Sequence, residues 1–201
     1  MLTAVLLATA LASPPALSIS GLSAAISSRP AWQASFEQEY VPAGFDEGSK
    51  ASGTILLAAP ALLRFSYAGA DHRVFALDGS VARTVDEAAG TCDAVRLDPE
   101  AWRRVPLAAL LDPVAAEHAF VQGVDGDTLV LRPRTATVDL AEIRVAMGAD
   151  GMPAAITVVD GSGNRNTFTF SGWRAMAPPP ASAFAPSLPG APPCEPGDGR
   201  G

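Results

Sequence analysis

The first clear periodicity along the chain is helical. Between Ser18 and Ser28, Ile19, Leu22 and Ile26 recur at intervals of three and four, with Ala25 beside them and Arg29-Pro30 following. This spacing predicts one amphipathic helix, ended by the proline. The period then changes to two. From Trp32 to Tyr40 the apolar residues fall on even positions, with Gln33, Ser35, Glu37 and Glu39 between them, the pattern of a half-buried strand. Val41 to Lys50 reads as a loop. A second strand carries Gly53, Ile55 and Leu57 on one face and is broken by Ala58-Ala59-Pro60. A third puts Leu63, Phe65 and Tyr67 on one face, Arg64 and Ser66 on the other. A fourth runs from Arg73 to Leu77.

The fourth strand turns at Asp78-Gly79, and Asp-Gly recurs at 125–126, 150–151 and 160–161. Between strand-like runs this pair predicts type I′ hairpins, which need positive φ at both central residues. The strands so implied are Ala119–Gly123, Thr128–Arg132, Leu140–Met147, Ala154–Val159 and Asn166–Trp173. Sequential hairpins of this kind build a meandering antiparallel sheet. The middle breaks the pattern. Asp98-Pro99 looks like a helix start, Pro106–Leu111 is a short apolar helix, and Asp112-Pro113 repeats the start signal ahead of Val114 to His118. The pattern therefore predicts a mainly β fold with helices, interrupted near its start and in its middle. From Ala177 to Gly201 the chain is rich in Pro and Gly and reads as irregular, with Phe184 and Leu188 as its large apolar anchors.

Before the helix, Leu2 to Leu11 is a short apolar run, and Ala10-Leu11-Ala12 places small residues where a signal peptidase reads. Residues 1–12 are therefore expected to be a signal peptide, although no Lys or Arg precedes Arg29. The run is too short to span a bilayer. Export would make the two cysteines, Cys92 and Cys194, available for a disulfide that pins the tail to the body. Their spacing fits no zinc or redox motif, and two unpaired thiols remain the alternative.

Charge narrows the partners. A chain of 201 residues with a net charge of −7 is poorly suited to nucleic acid, whose phosphates demand Lys and Arg. It is equally ill suited to an anionic membrane surface. No phosphate-cradling glycine loop or Gly-x-Ser-x-Gly elbow occurs, and His72 and His118 lack metal-ligand spacing. The aspartates are explained by turns and caps. These observations argue against an enzyme, and neither a metal nor a cofactor is expected. What remains is apolar surface. A curved sheet closed by helical segments has a concave face, which is either an ordinary filled core or a ligand cavity. Pattern alone makes the filled core the simpler reading.

The order of motifs resembles the LolA family of periplasmic outer-membrane lipoprotein carriers. The resemblance rests on Phe36-Glu37-Gln38, the run Gly53 to Tyr67, Asp78-Gly79, Pro106 to Leu111, Leu131-Arg132-Pro133, and the late turn at Asp160 and Gly163-Asn164 before Phe168-Thr169-Phe170. It covers about Trp32 to Phe184, and it makes residues 13–176 the carrier domain. The family implies an unclosed antiparallel β half-barrel of about eleven strands, lidded by short helices and enclosing a hydrophobic cavity. It implies acylated lipoprotein or lipid as cargo, an inner-membrane ABC transporter as donor and an outer-membrane acceptor. The carrier is expected to be a monomer in the periplasm.

On this basis the cavity is expected at Phe36, Ile55, Leu57, Leu63, Phe65, Tyr67, Phe75 and Leu131, and the lid at Leu107, Leu110 and Leu111. Two positions depart from the family pattern. Ala59 stands where the family has an arginine that ties sheet to lid, so Arg64 is expected to substitute or the lid to be controlled differently. Leu63 stands where the family has an aromatic. A second functional reading keeps the fold but makes the chain a regulatory module that senses mislocalised lipoproteins, which needs a partner domain or anchor.

Overall fold

The computed structural model describes residues 17–58, 61–70, 72–97 and 113–197. A first helix, α1 (Ile19–Ser27), precedes six strands: β1 (Ala31–Val41), β2 (Ser49–Ala58), β3 (Leu62–Tyr67), β4 (Val74–Asp78), β5 (Val81–Asp86) and β6 (Thr91–Arg96). A second helix, α2 (Pro113–Ala119), leads into β7 (Phe120–Asp125), β8 (Thr128–Pro133), β9 (Glu142–Met147), β10 (Pro153–Val159) and β11 (Arg165–Met176). All eleven strands form one sheet in the order β6-β5-β4-β3-β2-β1-β11-β10-β9-β8-β7. Every pairing is antiparallel. The sheet is thus two meanders joined along a seam between β1 and β11, and it is unclosed, with β6 and β7 as its edges. This is the mainly β, open half-barrel expected.

Local chemistry sets the ends of α1. Ser18 is extended (φ −155°) and its hydroxyl accepts from the Gly21 amide, a serine N-cap. The face predicted to be apolar is the one buried: Ile19, Leu22 and Ile26 are 1%, 2% and 7% exposed. In β1 the alternation holds at Ala34 and Phe36, both buried. It ends before Tyr40, which is exposed while Val41 is buried.

The turns differ from expectation. Asp125 is still paired, to Thr128, so the two loop residues are Gly126 and Asp127. Likewise Leu77 pairs with Ala82, which places Gly79-Ser80 at the tip of the turn. Gly79 and Gly126 have positive φ (90° and 62°), and no described aspartate does. Glycine first in a two-residue loop is the type II′ arrangement. The aspartate ends the strand and caps the turn: Asp78 Oδ1 accepts from the amides of Ser80 and Val81. At the last turn Asp160 likewise accepts from the amides of Ser162 and Asn164, and Gly163 rather than Gly161 takes the positive φ. A short polar side chain that captures downstream amides explains the recurring aspartates without catalysis.

Strands β5 and β6 carry no clean alternation. On β5, Val81, Arg83 and Val85 share the outer face and all are buried, so an arginine interrupts the apolar pattern. On β6 most residues are exposed, because it is an edge.

Candidate functional site

Alternation along each strand sorts side chains onto two faces, and the inner face carries one large apolar cluster, with a polar Gln38–Asn166 pair toward one end. Phe36, Ile55, Leu57, Leu63, Phe65 and Leu131 belong to one buried cluster, with Tyr67 and Phe75 packed against it. All eight residues singled out in the sequence therefore lie together. The facing of Phe75 follows from its register with Phe65 across β3 and β4. Leu107, Leu110, Leu111 and Ala59 lie outside the described residues.

An aromatic band crosses the middle of this face. Phe36 meets Phe65 and Tyr67 edge-on, with ring centroids 5.0 and 5.2 Å apart. Phe65 lies 5.2 Å from Phe168, which runs parallel to Phe170 at 6.4 Å, and Phe170 lies 5.3 Å from Trp173. Such offset and edge-on pairs add about 0.5–1.5 kcal/mol each beyond area burial. The band spans the seam, because Phe36 pairs with Phe170 in register. The Phe168-Thr169-Phe170 alternation is legible in the sequence, yet neither phenylalanine is among the residues expected on the inner face. Ile143, Val145 and Ile156 complete the same cluster from β9 and β10.

The apolar face of α1 packs on this surface through Ile19, Leu22 and Ile26. Two polar bonds hold the helix at its ends. The Ile19 amide donates to Gln122 Oε1 on β7 at 3.1 Å, and Trp32 Nε1 on β1 donates to the Ile26 carbonyl at 2.8 Å. Each satisfies a backbone group that a helix terminus otherwise leaves unpaired. At the rim, Arg73 stacks 4.4 Å above the Tyr67 ring. Burial raises the Tyr67 pKa, against the opposing pull of the Arg73 charge.

Arg64 does not serve this inner face. The period of two that turns Leu63 and Phe65 inward turns Arg64 outward, where Nη1 donates to the Ala183 carbonyl at 2.8 Å and Nε to Ser66 Oγ. Burial lowers its pKa. The C-terminal segment instead crosses the outer face from the Ala31 end of β1 to β6. Phe184, fully buried at the end of a short 3-10 turn (Ala181–Phe184), packs with Ala31 and Ala58. Leu188 packs against Val74, Ala76 and Val85. Arg83, 5% exposed, pairs with Asp78 and donates from Nε to the Cys194 carbonyl at 3.0 Å. Cys194 is disulfide-bonded to Cys92 on β6, with Cα atoms 6.0 Å apart.

Among the described residues no group of three or more His, Cys, Asp or Glu is placed to hold a metal, and His72 and His118 lie at the surface, apart from one another. No described helix is long and apolar enough to cross a membrane. The molecule is thus an open antiparallel sheet whose chemistry is an apolar, aromatic inner face under a helix. The family described as outer membrane lipoprotein carrier protein LolA matches residues 28–187, and the chain belongs to that family. An outer-membrane lipoprotein carrier protein of Xanthomonas oryzae pv. oryzae is 29% identical over 146 residues, 69% of each chain. Among solved structures, a conserved uncharacterised protein from Thermus thermophilus is similar at a TM-score of 0.48 and 10% identity, over 85% of this chain and 92% of that one. A LolA superfamily protein from Nitrosomonas europaea is similar at 0.44 and 9%, over 81% and 94%.

Proposed function

We propose that the protein is a periplasmic carrier that shields the acyl chains of lipoproteins, or of a related lipid, against its inner face and carries them from the inner to the outer membrane. The observation that carries this reading is the continuous apolar cluster on the inner face of an unclosed sheet, in a chain that belongs to a lipoprotein-carrier family. Cargo would arrive from an inner-membrane ABC transporter and leave to an outer-membrane acceptor. The chemistry is that of non-covalent shielding, with no catalytic group required.

The energetics favour a reversible carrier. Each methylene removed from water is worth ~0.8 kcal/mol, so a sixteen-carbon chain gains roughly 12 kcal/mol on burial. The three inward side chains of α1 are worth ~1.5–3 kcal/mol each, roughly 5–9 kcal/mol together. A chain that displaces α1 from the inner face therefore gains only a fraction of its own burial energy. Loading is favourable, and a modest bias toward the closed state reverses it.

Protein purified from an exporting host should carry acyl lipid detectable by native mass spectrometry. Phe65→Glu, which sets a carboxylate among Phe36, Tyr67 and Phe168, should carry much less, with far-UV circular dichroism confirming the fold. Folded wild type and variant that are both free of lipid would count decisively against the carrier.

A further inference from the structure

The two halves of the sheet are dressed differently on their outer faces. The C-terminal segment spans the half from β1 to β6: Phe184 meets Ala31 and Ala58, Arg64 on β3 holds the Ala183 carbonyl, Leu188 meets the β4–β5 cluster, and Cys194 is bonded to β6. Arg83 gives a polar lock at the far end, buried between Asp78 and the Cys194 carbonyl. On β7 to β9 the outer face carries a surface ion-pair chain instead, from Arg132 through Glu142 and Arg144 to Asp125. Exposed pairs of this kind contribute ~0–1 kcal/mol each and restrain little. Among the described residues, apolar packing to the C-terminal segment, part-buried carbonyl bonds and a covalent bond thus stiffen the half from β1 to β6.

We propose that residues 177–194 are a redox-releasable clamp. With the disulfide formed, β1 to β6 act as one stiff plate, and the inner face widens or narrows by movement of β7 to β10. A dithiol reductant supplies two electrons and two protons: the Cys92–Cys194 bond breaks, both become thiols, and the reductant closes to its own disulfide. The half-buried position of both cysteines leaves the bond within reach of such a reductant. Once it is cut, Leu188 and the Cys194 carbonyl lose their tether, and β4 to β6 are freed from the plate. The same segment touches Arg64, Val74 and Ala76, the strand neighbours of Leu63, Phe65 and Phe75, so its release loosens the wall that these residues line. This last consequence rests on the carrier reading; the clamp itself does not.

Hydrogen exchange read by mass spectrometry tests the clamp on the oxidised protein, on the same protein reduced with a phosphine, and on Cys194→Ser. Amides of β4 to β6 should exchange faster in the two open forms, by about tenfold more than those of β8 to β10, which report only the loss of global stability. Reoxidation of the reduced sample should restore the slow rates. Phe184→Ala, which keeps the disulfide, should accelerate β2 and β3 instead, and it serves where Cys194→Ser does not fold. Equal acceleration in both halves would make the bond a general stabiliser and overturn the clamp, as would no change in either. Release of the apolar fluorophore N-phenyl-1-naphthylamine, measured on the same samples, should be several-fold faster after reduction. Faster exchange in β4 to β6 with unchanged release would overturn the coupling to the inner face. If no form binds the fluorophore, the carrier reading fails while the exchange result still decides the clamp.

Discussion

At Gly53 the sheet has no room for a side chain. A Cβ there would lie 2.1 Å from the Ser66 carbonyl oxygen and 2.9 Å from the Phe36 ring. The ring of Phe36 fills the space that residue 53 leaves, since the two are paired across β1 and β2. The sequence marks Gly53 only as one position of an alternating strand; the ring above it comes from a neighbouring strand and is invisible in local pattern. Arg83 is a similar case. Nothing in its own sequence neighbourhood announces that a distant carbonyl, that of Cys194, completes its burial. Its partner Asp78 has a titration consequence. Burial alone would raise the Asp78 pKa, but hydrogen bonds from Arg83 and from the amides of Ser80 and Val81 outweigh it and hold the net value low. A carboxyl depressed in the folded state stabilises the fold above its unfolded pKa, and that contribution is lost as the pH falls through the folded value. Asp78→Asn should therefore lower the unfolding free energy read from urea denaturation at neutral pH, by on the order of 3 kcal/mol for a buried arginine that loses its counter-charge. It should also flatten the further loss on acidification. Identical acid limbs in variant and wild type would remove Asp78 from this role.

Among elements, α1 is legible in the sequence, because its apolar spacing and its proline stop are both local. So are β1 to β4, from their alternation, and β7 to β11, from the Asp-Gly turns between them, to within a few residues. The inner-face residues follow from that alternation together with the family resemblance, which supplies the strand count. Local signals miss β5 and β6, where burial beneath the C-terminal segment puts Arg83 between two valines, and they miss the way α1 is tied down. Gln122 is a polar residue on an edge strand whose role emerges only when the helix lies beside it. Gln122→Leu should leave the Ile19 amide without its acceptor. Exchange at the first turn of α1 should rise several-fold, while that of β1 and β11 stays put. Unchanged exchange at Ile19 would show that the bond does not hold the helix.

For the whole molecule, the disulfide joins residues 102 positions apart, so it ties the tail to an edge strand across a long stretch of chain. Loop-closure entropy makes such a bond worth ~2–5 kcal/mol, with the longer loops at the upper end. Paired Cys92→Ser and Cys194→Ser substitution should lower the unfolding free energy by that amount in equilibrium denaturation. A loss below about 0.5 kcal/mol would place the fold's stability elsewhere.

The seam between β1 and β11 has a consequence for how the molecule comes into being. Each meander closes on near neighbours, but β1 waits for the last strand of the chain, so the joining step has high contact order and is slow. As the chain emerges N-terminus first, β1 to β6 can form with Phe36 and its strand edge bare, before Phe168 and Phe170 arrive. An uncovered edge beside an aromatic surface is a template for mispairing. The emerging chain is therefore most liable to aggregate just before its final strand arrives, when Phe36 and Phe65 lie beside an unpaired strand edge.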